Sequence, residues 1–177
     1  MEDVVTYIIN VANNLPGIQN AIFLVAGFIG IAAVFGSLVN QVTNGRRGQP
    51  PLPSTIAGLI FGSLLLSLPT AVDIVSVSFL GSASDPKIID SYVPVTGDNT
   101  RVAIQALVAI INVFGWIAAA RGIWRWRVGP KYDQPGWFGS GLTFVLAGSI
   151  ATNFYVFADV LAVSIGAIPV GTNYFKF

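Results

Sequence analysis

The chain has 177 residues, a net charge of +1, 54% hydrophobic and only 10% charged residues, and a mean hydropathy of +0.72. Soluble domains carry about 25% charged residues, so this chain has too few ionised groups to cover its surface in water, a requirement that a bilayer removes. It contains neither Cys nor His, which excludes disulfides, thiolate metal sites and imidazole bases, and its small net charge recruits no nucleic acid at long range.

The chain opens with MEDVVTYIIN, acidic where a secretory signal is basic. The expectation is therefore a mature chain that begins at or near Met1. Within residues 1–16, Val4, Val5, Ile8, Ile9, Ala12 and Leu15 share one helical stripe. Two structures fit it: a short helix on the outer interface, halted near Asn14 and Pro16, or a frayed extension of the helix that follows.

A spanning helix needs roughly 20 mostly apolar residues. Residues 17–39 have no charge, residues 55–80 have only Asp73, and residues 102–124 have only Arg121 near their end. The stretch from Trp137 to about Ile168 is longer than a span and contains only Asp159. None alternates as a barrel strand would, so all four are expected to be helices. Pro69, four residues before Asp73, frees a backbone carbonyl and is expected to kink the second helix.

Basic residues orient the spans. The first connection, NQVTNGRRGQPPLPS, carries Arg46 and Arg47 without an acid, and the third carries Arg125, Arg127 and Lys131 against Asp133. The middle loop has Asp85, Asp90 and Asp98 against Lys87 and Arg101. The expected architecture is all-α, a single polytopic membrane domain over 1–177 with four transmembrane helices and both termini outside. It comprises an outer tail 1–16, a first hairpin 17–80, an outer loop 81–101 and a second hairpin 102–177.

The halves echo each other. VFG recurs at 34–36 and 113–115, GLIF at 58–61 resembles GLTF at 141–144, and DIVSVS from Asp73 resembles DVLAVS from Asp159. Internal duplication explains these matches, and so does chance in apolar sequence; a true duplication would relate the hairpins about the membrane normal. Small residues recur every fourth position: Ala26/Gly30 and Ala32/Gly36, Ser54/Gly58/Gly62, Gly115/Ala119, and Ala158/Ala162/Gly166. Such spacing lets helices pack closely, against the same chain or a neighbouring copy. Asn112 and Asn153 are candidates for hydrogen bonds between helices.

Asp73 and Asp159 are the charges set deep in apolar windows and thus the default functional candidates. Asp73 lies 18 residues beyond Thr55, about 27 Å along a straight helix, which places it towards the outer leaflet. A structural pairing and a role in proton or ion passage both fit, although no third ionisable group continues a relay. HExxH, P-loop and GxSxG motifs are missing, so a non-enzyme without cofactor or metal is expected.

The segment RGIWRWRVGPKYDQPGW, 121–137, interleaves Arg121, Arg125, Arg127 and Lys131 with Trp124, Trp126, Tyr132 and Trp137. On the cytoplasmic side of a span this pattern fits aromatic anchoring at headgroups and cation contact with phosphate. A single-stranded nucleic-acid platform fits less well, because stacking residues committed to the interface are not free to splay. A protein partner is the third reading.

In length, acidic tail, GRRGQPPLPS turn, polar outer loop and WRWR segment, the chain resembles the small multispanning membrane proteins of I-type conjugative plasmids and type IVB secretion systems, the TraQ and IcmC/DotE group. The resemblance implies a bacterial inner-membrane location and a structural role in conjugation or secretion. Each half is also similar to a conjugative pilin hairpin, which implies homo-oligomers and bound phospholipid, although four spans depart from the two-span pilin pattern. In an extracellular pilus the basic turns would line a lumen, and contact with transported single-stranded DNA would be indirect. Two alternatives stand beside this: a small ion or proton channel or transporter using Asp73 and Asp159, and an assembly factor that binds another component through loop 81–101.

Overall fold

The structure is a computed structural model that describes residues 2–47, 53–81, 99–132 and 134–166. These residues form six α-helices: α1 (Glu2–Arg46), α2 (Pro53–Leu66), α3 (Leu68–Leu80), α4 (Asn99–Val128), α5 (Trp137–Thr152) and α6 (Phe154–Ser164). A 3-10 turn, Gly129–Lys131, follows α4. There is no strand among the described residues.

α1 runs through Pro16 as one helix of 45 residues, about 67 Å at 1.5 Å per residue. It does not halt near Asn14 and Pro16, so the tail continues the first span's helix. α1 and α4 contain stretches long and apolar enough to cross a bilayer, Asn14–Arg46 and Ala106–Lys131. The other two windows pass that test only when each is taken as a bent pair: α2 with α3, and α5 with α6, each turning by 89°. By length and composition the chain therefore has two to four candidate spans.

The first bend carries a local sequence signal, and the second does not. Pro69, at the start of α3, has no N–H to offer the carbonyl of Leu65, and its ring crowds that turn. The chain bends at Ser67, with φ −111° and ψ 47°. Asn153 adopts nearly the same conformation at the second bend, φ −116° and ψ 38°, without a proline. Both bends fall six residues before the Asp of the DIVSVS and DVLAVS matches. The expected kink at Pro69 is thus a right-angle break, and the single fourth helix is two. Counting straight from Thr55 to Asp73 does not hold, because the α2 axis ends at Leu66.

Glycine faces join each helix to its hairpin partner. A Cβ on Gly30 would lie 2.6 Å from Leu66 N and 2.7 Å from Gly62 O, so the α1 and α2 backbones touch there. In the second hairpin, a Cβ on Gly115 would lie 2.9 Å from Gly148 O, and one on Gly122 2.6 Å from Gly141 O. These two glycine pairs are seven residues apart on each helix, which keeps them on one face through two turns.

The hairpins meet across a core of Ala26, Leu65, Leu68, Val72, Trp116, Ala119, Ile123 and Val145, contributed by α1 through α5. Trp116 is fully buried and meets Phe23 of α1 edge to face, with ring centroids 4.8 Å apart. A smaller cluster of Leu15, Ala109 and Val113 joins α1 to α4.

Candidate functional site

At the break between α5 and α6, Asn112 Nδ2 donates to the carbonyl of Thr152 at 2.7 Å. Trp116 Nε1 donates to Asn112 Oδ1 at 2.9 Å, fixing that amide. Asn153 Nδ2 donates to Ser76 Oγ at 2.8 Å, tying the second break to α3 of the first half. Asn112, Asn153, Ser76, Ser149 and Thr152 are all buried, where an unmade hydrogen bond costs about 1–3 kcal/mol. Both asparagines singled out from sequence thus bridge between helices. Asp73 lies half-buried on α3. Asp159 falls on α6, but its side chain lies outside the described residues.

The small residues divide by face. Gly30, Gly58, Gly62 and Gly115 lie inside the two hairpins, Gly58 against Ser37 and Gly62 against Ala33. Gly36 is exposed, and a Cβ there would have open space for 4 Å around it. Ala158 and Ala162 are half-buried on α6. Sequence reasoning missed Gly122, Gly141 and Gly148, which pack as tightly as Gly115. Their signal was the seven-residue spacing of 115/122 and 141/148, which a search at four-residue spacing passes over.

The basic segment resolves into three groups. Arg121 and Arg125 converge on one ring of α5: their guanidinium carbons lie 5.2 Å and 5.7 Å from the Phe144 centroid. Trp126 turns inward, donating from Nε1 to Phe138 O at 2.9 Å, and its ring lies 5.4 Å from that of Phe61 and against Gly141. Trp137 closes the same corner by packing on Gly129 and edge-on to Phe138. Trp126 and Trp137 therefore lock the α4–α5 turn as well as being placed at its end. Arg127 and Lys131 form the third group, with Arg127 stacked 4.9 Å above Trp124 and Lys131 beside Tyr132.

This third group opens towards α1. A pocket of about 750 Å³ lies between Gly36, Ser37, Val39 and Asn40 of α1 and Trp124, Arg127, Val128, Lys131 and Tyr132. The ends of α1 and α4 therefore lie at the same end of the bundle. Arg46 and Arg47 are exposed at the end of α1, so the two basic turns share that end as well. A second groove, about 510 Å³, runs between α1 and α4 along Ile18, Ile22, Val25, Ile29, Ile117 and Ala120, and ends at Arg121 and Trp124. Most of loop 81–101, the candidate docking loop, lies outside the described residues.

The fold and these surfaces define an all-helical, membrane-associated protein whose apolar exterior suits lipid. Comparison with protein-family models, curated proteins and solved structures gave no match.

Proposed function

We propose that this chain is a non-enzymatic structural subunit of a bacterial conjugation or type IV secretion apparatus, seated in the inner membrane and associating with copies of itself and with phospholipid. The resemblance of the whole sequence supports the choice of apparatus. The observation that carries self-association is the outer face of α1, where Leu24, Phe28, Ile31, Phe35, Leu38 and Val42 stand exposed. Most of the small-residue faces are spent inside the hairpins, so contacts between copies fall to this stripe. The matching breaks at Ser67 and Asn153 support descent from a duplicated hairpin, a unit whose packing relation can be repeated from chain to chain. An extracellular pilus is the extended form of the proposal.

The absence of native Cys makes single-cysteine variants clean reporters. Phe28→Cys and Phe35→Cys, oxidised in native membranes, are expected to give crosslinked homodimers, and electron microscopy of membranes and sheared extracellular material a regular homopolymer. Monomers alone in both fractions would refute self-association.

A second reading, a channel or transporter, is favoured by one observation: two broken helices joined at a buried polar cluster, an arrangement that transporters use around substrates. Asp73→Asn combined with Asp159→Asn in liposomes tests it. Ion or proton flux in the parent chain, abolished in the variant, would establish this reading in place of the structural one.

A further inference from the structure

The two openings between α1 and α4 differ in chemistry and share a residue. The first groove is walled by aliphatic side chains and follows α1 from Ile18 to Ile29, roughly 16 Å at 1.5 Å per residue. The pocket beyond it presents Arg127, Lys131, Tyr132, Asn40 and Ser37. Trp124 lines both, and Arg121 stands at the end of the apolar groove. An apolar slot leading past an indole into a cationic pocket is complementary to a molecule with a long hydrocarbon chain and an anionic head.

We propose that α1 and α4 together form a specific binding site for one anionic phospholipid. One acyl chain lies in the groove between Ile18 and Ile29, and the phosphate sits between Arg127 and Lys131. Three features support this occupant. Among the described residues no acidic side chain lines either opening, so an anion meets no carboxylate there. Arg127 is held over Trp124, which presets its guanidinium, a planar donor suited to bidentate phosphate contacts. Both volumes, about 510 and 750 Å³, lie in the range of about 300–1,000 Å³ common for ligand pockets.

The site divides the basic residues into unequal roles. Arg127 and Lys131 contact the bound lipid, whereas Arg46 and Arg47 line neither opening and attract only the general negative surface. Arg121 and Arg125 are partly engaged by Phe144. The inference rests on the membrane setting of the proposal above but not on self-association, so a chain that stays monomeric and holds the lipid leaves it standing.

The full chain in detergent, titrated with phosphatidylglycerol and separately with phosphatidylcholine, is followed by native mass spectrometry. One phosphatidylglycerol per chain is expected to persist, in preference to phosphatidylcholine. Each change removes a charge-assisted contact to the bound phosphate, about tenfold or more apiece, so Arg127→Gln with Lys131→Gln is expected to weaken retention roughly 100-fold. Arg46→Gln with Arg47→Gln removes the same charge outside the site and, with no anionic leaflet in detergent to attract it, is expected to change retention less than about threefold. Ala21→Trp, at an exposed lining position, fills the groove and is expected to displace the lipid with all cations intact; circular dichroism checks that its helices remain. Equal losses in the two double variants would reduce the effect to general surface charge and overturn the proposal. So would equal retention of both lipids, an unaffected Ala21→Trp, or a lipid-free dimer occupying the groove.

Discussion

The Gly148→Ala substitution is the sharpest test of how the second hairpin is held. The added methyl would lie 2.7 Å from Ala119 N, 2.7 Å from Gly115 O and 2.9 Å from Ala119 Cβ. Ordinary contact begins at 3.4 Å, so α4 and α5 must part by about 0.7 Å, because two of the three obstacles are backbone. A gap of about 0.5–1 Å forfeits a quarter to a half of each dispersion well along the seam, and overpacking costs about 1–3 kcal/mol. Against this, Ala gains about 0.8–1.0 kcal/mol in helix propensity over Gly. The expected net loss is about 0–2 kcal/mol. Gly36→Ala, with nothing within 4 Å, keeps only the propensity term and is expected to be neutral or stabilising by up to about 1 kcal/mol. Reversible unfolding in mixed micelles, followed by circular dichroism, measures both. Because Gly115 and Gly148 occupy the same crossing, Gly115→Ala added to Gly148→Ala should cost less than the sum of the single changes. Equal effects of Gly148→Ala and Gly36→Ala would refute the close-packing argument.

Three further outcomes are expected. Asn112→Leu removes the donor to Thr152 O and the acceptor of Trp116 Nε1; it should destabilise by about 1–3 kcal/mol, with a changed tryptophan emission, whereas a loss below about 0.5 kcal/mol would show that the break does not need this amide. Trp126→Phe keeps the ring beside Phe61 and Phe138 but deletes the bond to Phe138 O; about 1 kcal/mol of stability should be lost in the same unfolding assay. Pro69→Ala should leave the α2–α3 bend in place, because Asn153 makes an 89° bend without proline; spin labels on α2 and α3 that moved to straight-helix distances would show the proline alone makes the bend.

How much was legible beforehand follows from which forces act locally. Apolar content and window length gave the helical, membrane-suited class, because hydrocarbon admits no unpaired backbone and so demands helices or a closed barrel. The positions of Arg46, Arg47, Arg121, Arg125, Arg127 and Lys131 marked two like turns, and the structure brings the two turns to one end. Gly30, Gly58, Gly62 and Gly115 announced close approach through their spacing. Whether their partners lay in the same chain was not contained in that spacing, since a small-residue face fits any complementary helix.

The tertiary structure alone decided the rest. Pro69 signalled one bend, yet Asn153 bends without any local signal as strong, where Asn112 bonds the Thr152 carbonyl and Ser76 holds the Asn153 amide. The partners that hold this break are distant in sequence: Asn112 reaches the Thr152 carbonyl from 40 residues away, and Ser76 holds the Asn153 side chain from 77 residues away. The same holds for the aromatic–basic segment. Composition places Trp124 and Trp126 two residues apart with the same chemistry, but helical geometry turns Trp126 into the α4–α5 corner and leaves Trp124 at the mouth of two grooves. Sequence determines which residues are suited to lipid; only packing against α1 determines which of them share a surface.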